Sequence, residues 1–394
     1  MSTSTSTLTY PPEGFGAPKD RHGHATGDTG LPAGTEVFSA DDHISLAQDI
    51  FYERFPEDLK DQAPRVIYED GAWTLAMGGS DRGFLPPEFT AVLMQYDPLA
   101  GSNTGDIAAR LRELESDGIH RELAFPNALL GLMGWPDKAV RERCFRIYNE
   151  HVAELQEASG GRFYGVGMIN WWDGEGARRT LEEMKGLGIR TFWLPLKPGK
   201  GDDDKPIDYN APALYPVWEA IEESGLPVSH HIGESPLGSP CADNSVLIGM
   251  AHNVAPFREM FGRYVFGGIL DRNPGITVGW FEGGINWVPA AIQDCEHLYA
   301  SLQHMADHPM RKSVQQYWDD HMCASFMVDP LGLSLIDRIG VDKVLWSSDY
   351  PHNESTFGYS ERSLASVVEA LGPDDAVKVV RTNVERFLGI GASA

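Results

Sequence analysis

The chain alternates short apolar runs with longer stretches of helical periodicity, and this alternation constrains its fold more than any other feature. The apolar runs are Val37 to Asp41, Glu122 to Phe125, Phe163 to Ile169, Thr191 to Leu196, Pro227 to His231, Ile276 to Phe281, Met322 to Val328 and Val344 to Ser348. Each run is apolar on both faces, which is typical of parallel strands covered by helices. The pattern predicts an α/β fold closed into a (β/α)8 TIM barrel, with an open doubly wound sheet as the alternative. We favour the barrel because no glycine-rich phosphate loop follows the first run.

The rest of the chain predicts additions to a single barrel domain. Residues 1–34 are rich in Ser, Thr, Pro and Gly, a composition that predicts a flexible, disordered tail. The barrel domain is expected over residues 35–392. Residues 58–105 and 197–210 are predicted insertions at the carboxyl ends of strands, where such excursions commonly form the walls of an active site.

Charge and cysteine content exclude several classes of protein. The 57 acidic and 32 basic residues give a formal charge of -25, which repels the phosphates of nucleic acids and of anionic membranes. The four cysteines are Cys144, Cys241, Cys295 and Cys323. They form no CxxC pair, which argues against a zinc knuckle or a disulfide scaffold. With no visible signal peptide and no apolar run of about 18 residues, we expect a cytoplasmic protein that binds neither membrane nor nucleic acid.

Several of the apolar runs end in residue types that bind metals. Asp41 and His43 close the first run, and alternation along a strand sends both side chains to one face. The fifth run ends in His230 and His231, and strand parity alone does not choose between them. Glu282 closes the sixth run after Trp280 and Phe281, where a carboxylate needs a cation or a donor to stay charged.

The eighth run ends in Asp349, followed by Pro351 and His352. Because a parallel barrel gathers the carboxyl ends of its strands at one face, these residues and the other strand-end ligands are expected to converge there. A mixture of carboxylates and imidazoles suits Zn, Mn or Fe in the divalent state, as one ion or two.

The strand-end motifs resemble those of a known family. They are Ser39-Ala40-Asp41-Asp42-His43, Leu226-Pro227-Val228-Ser229-His230-His231, Asp271-Arg272-Asn273-Pro274, Glu282-Gly283-Gly284-Ile285-Asn286-Trp287-Val288-Pro289, Lys343-Val344-Leu345-Trp346-Ser347-Ser348-Asp349-Tyr350-Pro351-His352 and Asn383-Val384-Glu385-Arg386-Phe387. Over about residues 36–390 the chain resembles the amidohydrolase-related family of metal-dependent barrels, which includes aminocarboxymuconate and resorcylate-type decarboxylases. The resemblance implies an amidohydrolase-like barrel and prefers His231 to His230 as the metal histidine.

The metal ligands that follow from the motifs and the resemblance are five. They are Asp41, His43, His231, Glu282 and Asp349. Two positions depart from the family pattern, because Asp41 stands where a histidine is common in the first strand and Glu282 where one is common in the sixth. A fourth-strand lysine that could bridge two metals is not evident, since Lys197 is followed by Pro198.

We therefore expect a metal-dependent hydrolase or carboxy-lyase acting on a small organic carboxylate or ester, with Asp349, His352, Glu282 and His321 as candidate catalytic residues. Five tryptophans are compatible with an aromatic or large apolar substrate. They are Trp171, Trp172, Trp193, Trp280 and Trp346. A small-molecule substrate is the expected partner.

Two further functions remain open. One is an O2-dependent monooxygenase with one or two nonheme irons, in which His230, His321 and His352 complete a second metal position. The other is a barrel that binds a ligand without catalysis. The habit of the resembled family and the segment Tyr317-Trp318, expected to be exposed, suggest a homodimer.

Overall fold

The computed structural model describes residues 21–45, 50–69, 72–78, 80–83, 106–127, 132–201, 205–234 and 245–391. In these ranges the strands are β1 (Phe38–Ile44), β2 (Arg65–Glu69), β3 (Ala72–Ala76), β4 (Arg121–Pro126), β5 (Phe163–Gly165), β6 (Gly167–Met168), β7 (Phe192–Trp193), β8 (Val228–His231), β9 (Val278–Phe281), β10 (Met322–Phe326) and β11 (Val344–Trp346). Each of the eight apolar runs contains a strand, and the third contains both β5 and β6.

Parallel pairing joins these strands around most of a ring. β1 pairs with β4 and β4 with β5, while β6 to β11 pair in chain order, all in parallel. β5 and β6 connect the two groups. The Val166 amide donates to the carbonyl of Ala124 on one side, and the Gly167 amide donates to the carbonyl of Thr191 on the other.

The ring closes between β1 and the segment that follows β11. The Asp349 amide donates to the carbonyl of Asp41 at 2.7 Å, and the His43 amide donates to the carbonyl of Tyr350 at 2.6 Å. These bonds leave no open edge, so the predicted (β/α)8 barrel is confirmed and the open doubly wound sheet is not adopted.

Helices cover the outside of the ring. The α-helices are Ile50–Arg54, Ile107–Ser116, Lys138–Ala158, Gly174–Gly186, Tyr215–Ser224, Ser245–Ala251, Ala255–Phe266, Ile269–Arg272, Trp287–Leu302, Val314–His321, Pro330–Ser334, Ile336–Ile339, Ser360–Leu371, Pro373–Val377 and Asn383–Leu388. Shorter 3-10 turns are Glu57–Gln62, Pro212–Leu214, Gln303–Met305 and Val341–Lys343, and Lys378–Thr382 is a π-helix. None of the helices in the described ranges is long and apolar enough to cross a membrane.

Burial on both faces explains the apolar character of the strands. All seven residues of β1 and all four of β8 are buried. Polar side chains on these strands are therefore removed from water, and each needs a partner inside the protein. This requirement makes the partners of Asp41, Asp42, His230 and His231 informative.

The predicted insertions are only partly described. The first contains the antiparallel hairpin β2–β3, and its residues 84–105 lie outside the described ranges. The second contains a single bridge between Lys200 and Pro206, and residues 202–204 lie outside. Of the predicted tail, residues 21–34 are described and Leu31 packs against the core, while residues 1–20 lie outside. Its flexibility stays a prediction.

The predicted exposure of Tyr317-Trp318, one of the two grounds for a homodimer, is wrong. Tyr317 and Trp318 are 1% and 0% exposed, because the indole donates to the carbonyl of Ile339 and the phenol donates to Asp271. Aromatic residues with a polar tip need such partners when buried, and the sequence alone does not show that partners are available. The oligomeric state itself stays a prediction.

Candidate metal centre

Asp41 and His43 project from β1 into a common space, as strand alternation predicts. Both are buried, and His43 Nε2 lies 3.8 Å from Asp41 Oδ1. Asp42, between them, points away and accepts hydrogen bonds from the Ser348 hydroxyl and the Tyr350 amide. The first strand thus offers one carboxylate and one imidazole to the inside of the barrel.

β8 sends its two histidines to opposite sides, and the structure answers the question that strand parity left open. His231 Nε2 lies 2.9 Å from Glu282 Oε2 and 3.4 Å from Asp41 Oδ1. Its Nδ1 lies 2.8 Å from the carbonyl of Ile232, which fixes Nδ1 as a protonated nitrogen and directs Nε2 at the carboxylates. His231 is therefore the inward histidine, as the family resemblance implied.

His230 faces outward and does not take part in the centre. Its Nδ1 lies 2.7 Å from the carbonyl of Leu194 and its Nε2 lies 2.8 Å from the Tyr264 hydroxyl. Both ring nitrogens are used in packing β8 against its neighbours. The prediction that His230 helps to complete a second metal position is therefore wrong.

Glu282 and Asp349 occupy a backbone conformation that side chains rarely adopt. Their φ angles are +64° and +61°, and they are the non-glycine residues with positive φ in the described part of the chain. This left-handed conformation costs of order 1 to 3 kcal/mol and clusters at functional sites. It turns both carboxylates sharply inward where their strands end, so that each lies close to His43 Nε2, at 3.2 Å for Glu282 and 3.1 Å for Asp349.

His352 stacks on His43 at the open side of this group. The ring centroids are 3.8 Å apart, and His352 Nδ1 lies 2.9 Å from Asp349 Oδ1. Its Nε2 lies 2.9 Å from Asn127 Oδ1. Asn127 escaped the sequence analysis, although it directly follows β4 and the rule that strand ends carry the site could have identified it.

His321 lies elsewhere, and its predicted catalytic role is corrected. It ends the helix Val314–His321 and directly precedes β10, so it lies at the amino end of the strands, opposite the centre. Its Nδ1 lies 2.9 Å from the carbonyl of Ile276, and its Nε2 lies 3.1 Å from Lys312 Nζ. Histidine is a common catalytic residue, but active sites of parallel barrels lie at the carboxyl ends of the strands, and a residue that precedes a strand lies at the amino end.

Lys197 also stays outside the centre. Its side chain is exposed, and its backbone amide donates to Glu234, whose other carboxylate oxygen accepts the amide of Leu196. Burial raises the pKa of Glu234 to about 7, although the two amides oppose this rise. Glu234 therefore holds the end of β7, and no bridging lysine is supplied at this position.

Buried carboxylates crowd together in the centre, and this crowding shifts the pKa values of its residues. Burial raises the pKa of Asp41 to about 6. Burial and repulsion from Glu282 raise the pKa of Asp349 well above its usual value. For His231, burial acts to lower the pKa, but attraction by Asp41 and Glu282 outweighs it and raises the pKa well above the ordinary value.

The unpartnered atoms fit a divalent cation. Asp41 Oδ1, both carboxylate oxygens of Asp349 and His231 Nε2 are buried and have no aligned hydrogen-bond partner in the described residues. Close approach without hydrogen-bond alignment is expected of atoms that share a metal. The possible ligands form two overlapping groups, Asp41, His43, His231 and Glu282 in one, and His43, Glu282, Asp349 and His352 in the other, with ligand atoms within 4.8 Å of one another. All five sequence-predicted ligands are thus together.

Comparison with known proteins identifies proteins to which the chain is similar. A family model described as amidohydrolase matches residues 98–390. The gamma-resorcylate decarboxylase of Rhizobium sp. (strain MTP-10005) is 24% identical over 314 residues, which cover 77% of this chain and 92% of that protein.

Solved structures show the same fold. An amidohydrolase from Mycobacterium avium subsp. paratuberculosis superposes with a TM-score of 0.72 at 17% identity, covering 92% of this chain and 100% of that one. A dihydroxybenzoic acid decarboxylase from Polaromonas sp., with bound manganese and an inhibitor, gives a TM-score of 0.62 at 16% identity, covering 91% of this chain and 98% of that one.

Proposed function

The chain belongs to the amidohydrolase family, and from this membership and the geometry of its centre we propose that it is a metal-dependent carboxy-lyase that releases CO2 from an aromatic carboxylate. The membership agrees with the prediction of a metal-dependent hydrolase or carboxy-lyase. The observation that carries the proposal is the convergence of carboxylates and imidazoles whose buried atoms lack partners. Decarboxylases among the relatives support CO2 release over hydrolysis.

The ligands of one cation are proposed to be Asp41, His43, His231 and Glu282. When bound, a divalent cation such as Mn, Zn or Fe supplies Lewis-acid polarisation of a substrate carboxylate and an adjacent oxygen. The manganese in the Polaromonas decarboxylase supports Mn as the first metal to test.

Asp349 is proposed as the residue that protonates carbon. Burial and the nearby carboxylates raise the pKa of Asp349 and so favour its protonated form. Its carboxyl group lies beside the proposed ligands, 3.1 Å from His43 Nε2. It delivers a proton to the ring carbon that carries the carboxylate; the bond to that carboxylate then breaks, its electron pair restores the aromatic ring, and CO2 leaves. His352, 2.9 Å from Asp349, is placed to return a proton to the carboxylate.

Aromatic side chains beside His231 support an aromatic substrate. Phe125 and Trp193 lie with ring centroids 4.6 Å and 5.1 Å from that of His231, and the buried Trp193 Nε1 has no hydrogen-bond partner in the described residues. Of the five tryptophans singled out in the sequence, Trp193 contacts the centre. Trp280 packs on the outward His230 instead.

The test is CO2 release by protein of known metal content. The purified chain is stripped with a chelator, reloaded separately with Mn, Zn and Fe, and assayed with gamma-resorcylate and with other ortho-hydroxylated benzoates. We expect CO2 release with at least one metal and none from the stripped protein. A folded, metal-loaded protein that decarboxylates none of these compounds, while a His231→Ala control binds no metal, would refute the carboxy-lyase and keep the metal centre.

A second candidate is an O2-dependent monooxygenase with two nonheme irons. The observation that favours it is the overlap of the two ligand groups, which share His43 and Glu282 and together supply three carboxylates and three imidazoles. Elemental analysis discriminates, because two irons per chain together with O2 consumption would replace the lyase with this function. One metal per chain with no O2 uptake would exclude it.

The oligomeric state, the location and the non-enzymatic alternative each have a direct test. The homodimer is checked by light scattering, and a cytoplasmic location by fractionation of cells that express the chain. A non-enzymatic binding barrel would require that His231→Ala leave metal content unchanged, which the short distances from His231 to the carboxylates argue against.

A further inference from the structure

The loop that follows β11 carries two residues of the centre and is tied to a segment distant in sequence. We call residues 349–358 the Asp349 loop. Arg21 Nη1 donates to the carbonyl of Ser355 at 2.8 Å and approaches its hydroxyl at 3.2 Å, and Arg21 Nη2 donates to the carbonyl of Asn353. A planar guanidinium that bonds two carbonyls fixes their separation, which a lysine ammonium does not do.

Asp117 makes a second tie between the same two segments. Its Oδ1 accepts the His24 amide at 2.8 Å, and its Oδ2 accepts the Gly358 amide at 3.0 Å. The carboxylate therefore bridges the N-terminal segment and the end of the Asp349 loop.

Glu361 makes a third tie just beyond the loop. Its two oxygens accept the amide and the hydroxyl of Thr26, at 2.9 Å and 2.5 Å. Three ties within residues 21–26 indicate a defined path over the barrel, although the composition of this segment predicts flexibility.

The positive charge of Arg21 interacts with two acidic residues of the loop. Burial lowers the pKa of Arg21, and attraction by Glu354 and Asp349 opposes this effect. Glu354, in the middle of the loop, has a raised pKa because of burial. A cation held here attracts the carboxylates of Glu354 and Asp349 in the loop.

The first four residues of the loop have bonds of their own to the barrel. The amides of Asp349 and Tyr350 donate to Asp41 and Asp42, and His352 Nε2 lies 2.9 Å from Asn127 Oδ1. The later residues are bonded more locally. Within the loop, the His352 amide donates to the carbonyl of Asp349, the Ser355 amide donates to that of His352, and the Thr356 amide donates to Ser348 at the end of the barrel. These turn bonds fix local shape. Regions that depend on few long-range contacts open at low free energy, so the position of residues 353–358, and through them the support of His352, depends on the external ties.

We propose that residues 21–26 form a strap that holds the Asp349 loop where it presents Asp349 and His352 to the metal centre, with Arg21 as the positioning residue. The consequence for catalysis rests on the proposed function. The mechanical coupling does not, because it is carried by hydrogen bonds between described residues.

The test uses the full chain and compares Arg21→Ala with Arg21→Lys and with a matched control, Arg178→Ala, which removes an exposed arginine paired with Glu223 on the outer surface. Hydrogen exchange of the Ser355 and Thr356 amides is measured first. We expect Arg21→Ala to exchange at least about tenfold faster at these amides, since bonds from a charged donor are lost. Arg21→Lys should recover part of the protection.

Metal content and catalysis are measured on the same samples. For Arg21→Ala we expect kcat for CO2 release to fall about tenfold with little change in KM, because Asp349 and His352 are displaced rather than the ligands on β1 and β8. Should Arg21→Ala fold poorly, Thr26→Val, which cuts one hydroxyl bond to Glu361, gives a milder form of the same comparison.

The outcomes separate the two proposals. Exchange at the loop equal to wild type in both Arg21→Ala and Thr26→Val would overturn the strap, whatever the activity. Faster exchange in Arg21→Ala, with a wild-type protein that releases no CO2, would support the strap and overturn the carboxy-lyase.

Discussion

The inner and outer faces of β1 and β8 carry the same residue types in opposite roles. Asp41 and His231 face the barrel interior, and Asp42 and His230 face the helices. The outward His230 has hydrogen bonds at both ring nitrogens, and Asp42 Oδ1 accepts three donors. The inward Asp41 Oδ1 and His231 Nε2 are buried without an aligned partner; Asp42 Oδ2 also lacks one, but Oδ1 of the same carboxylate accepts three bonds. Neighbouring residues of one type thus differ because one set is bonded into the fold and the other faces the candidate metal centre.

The largest effect should separate the two histidines. We expect His231→Ala to lose bound metal and to lower CO2 release by about a thousandfold, because metal polarisation contributes several kcal/mol to the transition state. His230→Ala should retain metal and lose stability, since the Tyr264 hydroxyl and the Leu194 carbonyl lose their partner. Metal analysis and initial rates are measured side by side. Equal metal loss in both variants would break the comparison between faces.

The outer carboxylate should matter for stability. Asp42→Ala leaves the Ser39 and Ser348 hydroxyls and the Tyr350 amide without their acceptor, and we expect a loss of about 3 kcal/mol in the free energy of unfolding. Asp42→Asn keeps an acceptor oxygen and is the matched control with a smaller loss. Urea unfolding with metal present gives both values. A fully stable Asp42→Ala would show that this network is dispensable.

Metal removal should destabilise only chains with an intact inner face. At a free metal concentration 100 times Kd, binding stabilises the folded state by about 2.7 kcal/mol, so chelation should lower the melting temperature of wild type and of His230→Ala alike. The melting temperature of His231→Ala should not respond to the chelator. A response of the same size in His231→Ala would mean that the metal binds elsewhere.

His151 tests whether an unpartnered nitrogen is by itself a sign of function. It is buried on the helix Lys138–Ala158, and neither ring nitrogen is hydrogen-bonded in the described residues, although Nδ1 lies 3.8 Å from Glu154 Oε2. Within the described residues it belongs to neither group of possible metal ligands. Burial lowers its pKa to about 4, below the ordinary value of about 6.5, so the fold favours the neutral form.

The sign of the pH effect follows from that shift. Above about pH 6.5 His151 is neutral in both the folded and the unfolded state, and stability is at its full value. As the pH falls toward 4, the unfolded state takes up a proton first, so the free energy of unfolding decreases. This loss is about 2 kcal/mol at pH 5. Unfolding of wild type and of His151→Leu is compared at pH 7 and pH 5. We expect His151→Leu to be less sensitive to acid and to retain activity; lost activity at full metal content would contradict a purely structural histidine.

The smallest effect concerns the backbone at Glu282. In the absence of metal, Glu282→Gly should be about 1 kcal/mol more stable than Glu282→Ala, because glycine adopts the positive φ angle without the strain that alanine keeps. Neither variant should bind metal normally. If Glu282→Ala and Glu282→Gly have the same free energy of unfolding, the positive φ angle at Glu282 does not lower the stability of the protein.

The sequence predicted the barrel and the convergence of the five candidate ligands because both follow from strand patterns. Strand alternation places Asp41 and His43 on one face, and the parallel topology brings Asp349 to the same end. The choice of His231 over His230 needed the family resemblance. Alternation along a strand shows that the two side chains point to opposite faces, but the sequence does not show which face is the inner one.

The errors share a physical cause, which is three-dimensional context. His321 precedes a strand instead of following it, and this difference reverses the end of the barrel at which it lies. Tyr317 and Trp318 are buried because Asp271 and Ile339 accept their polar hydrogens, and these acceptors lie 46 and 21 residues away. Asn127 was missed because its side-chain oxygen meets His352 across 225 residues of sequence.

The closing seam of the ring has a consequence for how the protein matures. Asp41 and Asp349 are joined there by a backbone hydrogen bond and also belong to the metal centre. The ribosome releases the first of these residues long before the second, so a nascent chain can gather the four proposed ligands before it contains the proposed proton donor. Catalytic competence therefore reports that synthesis has passed the last strand and that the two ends of the sheet have met.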